Sequence, residues 1–392
     1  MHSLSPSNAP QLPTELLVEI INLSLPHSIS SDESWSEHAS LLSKYSLVSR
    51  IWRKIAQAKL YERIVVRSAK AANRLCRTLS GQYSERRDLA PLCKSLRLGR
   101  TFGYDYAVAD DLRFRELVKL MANVEELELR SVRDLVPWHW MRCTELRQLR
   151  LERCTLVKGM GEGPPRVTSN ISHLLLAESD IFAGAFRPKA YPKLTFLSLG
   201  ACNDSAGHDR QDLTKALLKD FAPQLEAFRA DELSMPLVRN WKPKWKSLRA
   251  YGVRLWLPYF NDGSHYSWLN LPEKVVLEHL YFEDPVLAGR VPELNAWEAH
   301  ATLVVELLEA DPIAPALSSI KTIHLPGSPD SSGDNASKVR DLVSRLTKLG
   351  EEKEVEITWS EEVAEGETDE DRAVWTKDDS FLSFMKSVSG RS

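Results

Sequence analysis

Long apolar runs are absent from this 392-residue sequence, and none approaches the roughly eighteen residues that a membrane-spanning helix needs. Cysteine is scarce and unpaired. Cys76, Cys93, Cys143, Cys154 and Cys202 form an odd set with no CxxC spacing, which fits reduced thiols and excludes both a disulfide framework and a paired-cysteine zinc site. Catalytic signatures are missing too: there is no HExxH, no GxSxG and no Walker loop. The nearest imitation of a phosphate loop is KGMGEGPP, with Gly159, Gly161 and Gly163. Pro164 and Pro165 follow at once, so it reads as an outer loop that opens no helix. The ten His residues are scattered. No catalytic residue, metal or cofactor is expected. The opening MHSLSPSNAP has neither the basic nor the apolar region of a secretory signal, so a cytoplasmic and/or nuclear address is expected.

What is present belongs to a globular chain, with 43% hydrophobic and 27% charged residues. The length exceeds one ordinary core and calls for two domains or a repeat array. A net charge of −3 hides an asymmetry. Lys44 to Arg100 carries fifteen Lys or Arg against Glu62, Glu85 and Asp88, whereas Glu351 to Arg372 carries eleven acids against two bases. The basic stretch has few aromatic residues, Tyr45, Trp52, Tyr61 and Tyr83, and they are too widely spaced to form a stacking platform for bases. It therefore reads as a solvated helix face complementary to an acidic partner, and nucleic acid is not favoured.

The first sixty-odd residues carry the strongest motif. LPTELLVEII, Leu12 to Ile21, is followed after a polar insert by LLSKYSLVSRIWRKIAQAKLYERIVV, Leu41 to Val66. Pro13 stands where a helix would begin, since its fixed φ and missing N–H cost nothing there. Leu16, Leu17, Ile20 and Ile21 give one apolar helical face. Leu47, Val48, Ile51, Trp52, Ile55 and Ala56 give a second, with Arg50, Arg53 and Lys54 on its wet side. So few short helices make a very small core, which leaves apolar surface for a partner. Leu12-Pro13, Glu15-Leu16, Ile20, Leu42, Leu47-Val48-Ser49, Trp52, Ala56, Leu60-Tyr61 and Ile64 together resemble an F-box. The insert His27 to Ala39, which contains Trp35, is longer than the connection usual in that family. The resemblance implies a non-catalytic substrate receptor. It would dock on a Skp-type adaptor, and through it on a cullin-RING ubiquitin ligase, using Leu12, Pro13, Leu16, Ile20, Val48 and Trp52.

A repeat follows. Leu146, Leu149, Leu151, Cys154 and Leu156 give LxxLxLxxCxL, and Ile171, Leu174, Leu176, Ser179 and Ile181 repeat the frame. Leu194, Leu197, Leu199 and Cys202 give it a third time. The central leucines lie 25 and then 23 residues apart, a period similar to that of leucine-rich repeats. Looser matches extend upstream to Leu92 and downstream to Ile320-Ile323-Leu325. Leucines two apart point to one side of a short strand and the residue between them to the other. Leu149 and Leu151 are therefore core positions, and Arg150 faces solvent. Helical segments precede several strands, as in SKVRDLVSRLTKLGEEKEVEI, where Gly350 is placed to end the helix in the left-handed conformation. The expected fold is α/β: a small N-terminal helical F-box over residues 1–68, a helical linker over 69–89, and an irregular α/β leucine-rich-repeat solenoid over 90–360. An acidic, flexible tail over 361–392 completes it.

The residues between the paired leucines, Glu128, Arg150, Leu175, Ser198, Arg229, Gly252, Tyr281 and His324, are expected to face a concave surface that holds a target protein. A second candidate is the aromatic-rich stretch Trp241 to Trp268, because aromatic residues are enriched in binding hot spots. Tyr259, Tyr266, Arg150, Arg229 and Tyr281 are the substrate-binding candidates. A scaffold without ligase function, its N-terminal helices serving as a cap, is the alternative.

Overall fold

The computed structural model describes residues 12–25, 32–66, 68–80, 89–99, 111–157, 168–200, 202–204, 210–231, 244–254, 275–283, 296–310, 315–327, 329, 336–359 and 379–389. The fold is mixed α/β. Eleven parallel strands form one sheet in which spatial order equals chain order. They are β1 (Arg63–Val66), β2 (Ser95–Gly99), β3 (Glu126–Arg130), β4 (Gln148–Glu152), β5 (His173–Ala177), β6 (Phe196–Gly200), β7 (Ala227–Asp231), β8 (Ala250–Arg254), β9 (His279–Glu283), β10 (Thr322–Leu325) and β11 (Glu356–Trp359). The helices are α1 (Thr14–Ser24), α2 (Asp32–Tyr45), α3 (Arg50–Glu62), α4 (Ala69–Leu79), α5 (Asp111–Leu120), α6 (Arg210–Phe221), α7 (Ala296–Glu309), α8 (Ala336–Lys353) and α9 (Asp379–Ser389).

The leucine frame is the strand frame. Leu127, Leu149, Leu174 and Leu197 stand in one row across β3 to β6, and Leu129, Leu151, Leu176 and Leu199 in the next. These rows are buried in one core with Leu117 of α5, Leu217 of α6, Val304 of α7 and Leu346 of α8. Helices thus cover one face of the sheet, because strands this short cannot bury their apolar side alone. Replacing the fully buried Leu149 by Ala should cost about 2–5 kcal/mol, read from denaturant unfolding. A loss under half a kcal/mol would place it outside the core.

Backbone bonds repeat with the strands. Immediately before them, Glu125 donates to Lys94 O, Arg147 to Glu125 O, Ser172 to Arg147 O and Thr195 to Ser172 O, at 2.8–3.0 Å. After β3, β4 and β5 the chain turns at Ser131, Arg153 and Glu178, with φ of 53, 52 and 46°. Below these turns Ser179 Oγ accepts from Cys154 N at 3.0 Å and donates to Ala177 O at 2.7 Å, while Cys154 Sγ donates to Leu129 O at 3.2 Å. All five cysteines are buried and none is in a disulfide. Burial pushes the Cys93 thiol up to about 12 and the Cys143 thiol up to about 11, so neither is poised as a nucleophile.

Four expectations change. Arg63–Val66, assigned from sequence to the helical domain, is the first strand and pairs with β2. The segment expected as a linker contains α4, whose Ala72, Cys76 and Leu79 belong to the main core. Gly350 lies inside α8 and the left-handed residue is Glu354, φ 57°. Gly350 serves close approach instead: a Cβ there would lie 2.8 Å from Val355 O. Finally, the last part of the supposed tail is α9, and its Phe381, Leu382 and Phe384 are buried.

α1 to α3 have their own small core. Ile21, Leu25, Leu42 and Ala56 are buried together, with Tyr45 and Trp52 packed against them. Ser49 caps α3 by accepting from Trp52 N at 3.3 Å, the arrangement its small hydroxyl favours. No helix among the described residues is long and apolar enough to cross a membrane.

Candidate functional site

Two surfaces stand out. The first lies on α1 and the turn between α2 and α3. Leu16, Ile20 and Leu23 recur at helical spacing as an exposed stripe beside the buried Leu17 and Ile21. Leu12, just before the helix, is exposed as well, and so is Pro13. In the turn, Leu47 N donates to Lys44 O at 3.0 Å and Val48 N to Tyr45 O at 3.1 Å. This holds both side chains outward, at 79% and 61% exposure. Together with Ile51 these residues account for every large exposed apolar side chain among the described residues except Leu92 and Val276. Trp52 differs: it is half-buried, with its ring 5.4 Å from that of Tyr45, and so supports the surface from beneath.

The second surface is the sheet face opposite the helices. The residues between paired leucines do form one row: Glu128, Arg150, Leu175, Ser198, Arg229, Gly252, Tyr281 and His324 are successive register partners. They do not, however, face solvent. Arg150, Arg229 and Tyr281 are only 3–5% exposed. Three of the five residues expected to bind substrate are therefore internal. The other two, Tyr259 and Tyr266, lie outside the described residues, as do Trp241, Trp256 and Trp268. Tyr251 and Trp245, from the same aromatic stretch, are buried in the main core.

Over β2 to β4 the face is ionic. Arg130 Nε donates to Glu128 Oε1 at 2.5 Å, and Arg97 Nε lies 3.3 Å from Glu128 Oε2. Arg150 Nη2 and Arg130 Nη2 reach Glu152 Oε2 at 3.1 and 3.2 Å. Burial works to raise the pKa of Glu128, but Arg150, Arg130 and Arg97 outweigh it and hold the carboxyl below its usual range. Further along, Arg229 donates to Glu283 and, at 2.8 Å, to Ser198 Oγ. Between β7 and β9 stands Gly252, where a Cβ would lie 3.0 Å from Arg229 Cβ. Its missing side chain leaves the path that Arg229 takes to Glu283.

From β5 to β9 the same face also carries an apolar cluster beside the Arg229–Glu283 pair, and α9 packs on it. Phe381 packs 5.3 Å from the rings of both Phe196 and Tyr281, and Phe384 lies 5.2 Å from Tyr281. Leu175, Ala227 and Ala250 complete this cluster, which is separate from the main core. Imidazoles surround it. His324 stacks on Tyr281 at 4.8 Å and its Nδ1 lies 2.9 Å from Thr358 Oγ1. His279 meets Phe384 edge-on, and His173 tilts against Phe196. Burial lowers His324 to about 4. Burial, then Lys386, lowers His173 to about 4. Sequence reasoning missed Phe381, Leu382 and Phe384, although their apolar i, i+1, i+3 spacing was available in FLSF.

Among the described residues no cluster of His, Cys, Asp and Glu could hold a metal ion. Compared with known proteins, the chain matches no family model and no curated protein.

Proposed function

We propose that this chain is the substrate-recognition subunit of a Skp-cullin-F-box type E3 ubiquitin ligase, acting in the cytoplasm and/or nucleus. The observation that carries this reading is the concentration of exposed apolar side chains on α1 and the α2–α3 turn. Leu16, Ile20, Leu47 and Val48 are held out by helices that already have a core of their own, a form suited to a partner's apolar groove. Arg50, Arg53 and Lys54, exposed on α3, suit an acidic Skp-type adaptor. The parallel strands in chain order, with left-handed residues repeated after β3, β4 and β5, support a leucine-rich-repeat solenoid as the target-holding part. Such a receptor needs no catalytic group. It acts by raising the effective concentration of a target lysine near a charged ubiquitin-conjugating enzyme.

A scaffold reading has one observation in its favour. α3 runs directly into β1, and Lys94 N donates to Glu62 O at 2.9 Å, so α1 to α3 stand at the end of the sheet where a cap would. A cap alone leaves the outward Leu47 and Val48 without a role.

Adaptor capture separates the two. Leu16→Glu with Val48→Glu should cut capture of a purified Skp-type adaptor at least about tenfold, since central apolar anchors dominate such interfaces. Both positions are exposed, so the unfolding midpoint should stay put. Equal capture at matched concentrations, or no capture by the unaltered chain, would reject the receptor reading.

A further inference from the structure

From β5 onward the outer sheet face carries an apolar cluster beside the buried Arg229–Glu283 pair. Gln148 on β4 is followed in register by His173, Phe196, Ala227 and Ala250, and Arg150 by Leu175, Ser198, Arg229, Gly252 and Tyr281. Of these, Leu175, Phe196, Ala227, Ala250 and Tyr281 form one apolar cluster. What covers this patch is α9, through Phe381, Leu382 and Phe384, with Met385 and Val388 partly buried beside them. The backbone ladder runs through β5 to β9 with each strand paired to its neighbours, and α9 packs against the outer surface of that sheet. Two details make the seat specific. A Cβ at Gly252 would lie 3.2 Å from Phe381 Cε2, so the ring occupies the space left by that glycine. Phe384 is ringed by Tyr281, His279 and His324 at 5.2–6.1 Å. Residues 360–378, which join β11 to α9, carry mostly acidic and small polar side chains. They give a covalent link with little apolar content of its own.

We propose that β5 to β9 form a docking surface for a short amphipathic helix carrying Phe-Leu-x-Phe, and that α9 is its internal occupant. A partner protein presenting that spacing on a helix binds by exchanging with α9. Phe381, Phe384, Met385 and Val388 stand at i, i+3, i+4 and i+7, the anchor spacing of helix-in-groove recognition. A covalently joined occupant competes at a high effective concentration, so it sets a threshold that a weak helix does not pass. This inference goes beyond the adaptor reading and does not depend on it, because the surface lies on a different part of the chain.

The test uses the full chain and a fluorescent peptide of sequence DSFLSFMKSVS, residues 379–389. Phe381→Asp with Phe384→Asp should release α9, and the peptide should then bind at least about tenfold more tightly than to the unaltered chain. Adding Gly252→Leu to that variant should remove the binding, as should a peptide with both Phe replaced by Ala. A folded double variant that takes up the peptide no better than the unaltered chain overturns the proposal. Hydrogen exchange on the unaltered chain decides the case in which that variant fails to fold. Amides of α9 should then exchange at least about a hundredfold faster than those of β6 and β7, as a separately opening unit does, and equal protection would make α9 an integral part of the fold. Light scattering should give a monomer. A dimer that dissociates on Phe381→Asp with Phe384→Asp would assign the surface to a second copy and overturn internal occupancy.

Discussion

Glu283→Ala should lower the unfolding free energy by about 3–5 kcal/mol, the range for removing one partner of a buried ion pair. Glu283 and Arg229 are 4% and 3% exposed. Arg229 also donates to Ser198 Oγ at 2.8 Å, but removing the carboxylate takes an ionic partner from a buried guanidinium, which costs more than a neutral contact. The charge and not the contact carries the loss, so exchanging both residues should recover much of it. Arg229→Met with Glu283→Leu should be closer to the unaltered protein than either single change is. Denaturant unfolding of the three variants checks this. A single variant within half a kcal/mol, or a double variant worse than both singles, would mean that the pair is not desolvated as the geometry requires.

Acid should destabilise the fold earlier than its carboxylates alone would. His173 and His324 sit at about 4 in the folded chain against an ordinary value of 6.5, so the unfolded chain binds protons at these positions while the folded one does not. The stability they contribute is complete above about pH 6.5 and is lost as the pH falls from there to about 4, by roughly 3 kcal/mol each at most. The groups facing them include Lys386, Phe196 and Ser172, whose Oγ lies 2.8 Å from Nδ1, for His173, and Thr358, Tyr281 and Phe384 for His324. Glu128, held low by its arginines, gives up its contribution only at still lower pH. Unfolding free energies measured between pH 7 and pH 4 should fall in this window, and His173→Gln with His324→Gln should flatten the slope. An unchanged slope in that variant would assign the acid sensitivity elsewhere.

Which parts of this were legible from sequence has a physical pattern. Leu149, Leu151, Leu174 and Leu176 were readable because a two-residue alternation has one meaning in a short strand. Arg150 was not, because alternation says only that it leaves the leucine face. Whether water or other protein waits on the far side depends on distant residues. Arg229 and Glu283 are 54 positions apart, and no local pattern pairs them. Arg150→Ala accordingly breaks a partly buried contact to Glu152 at 3.1 Å, where the alternation alone suggested a surface change of little effect. α9 was hidden for another reason. FLSF is a short apolar cluster at the end of an acidic run, and the composition of the run obscured the spacing within it. On α1, by contrast, the motif and the exposure coincide at Leu12, Leu16 and Ile20, because a surface that stays uncovered in the folded chain is read from local sequence alone.

Strand order that equals chain order lets each strand join its predecessor as soon as it is made, with no wait for distant residues. α9 is the exception. About two hundred residues separate Leu175 from Phe384, and at roughly 5–20 residues per second the ribosome needs on the order of 10–40 s to supply the cover. During that interval the nascent sheet presents Leu175, then Phe196 and, for about the second half, Tyr281 to the cell. A chaperone that recognises apolar surface therefore has a timed target on the growing chain, which disappears when the last helix is released.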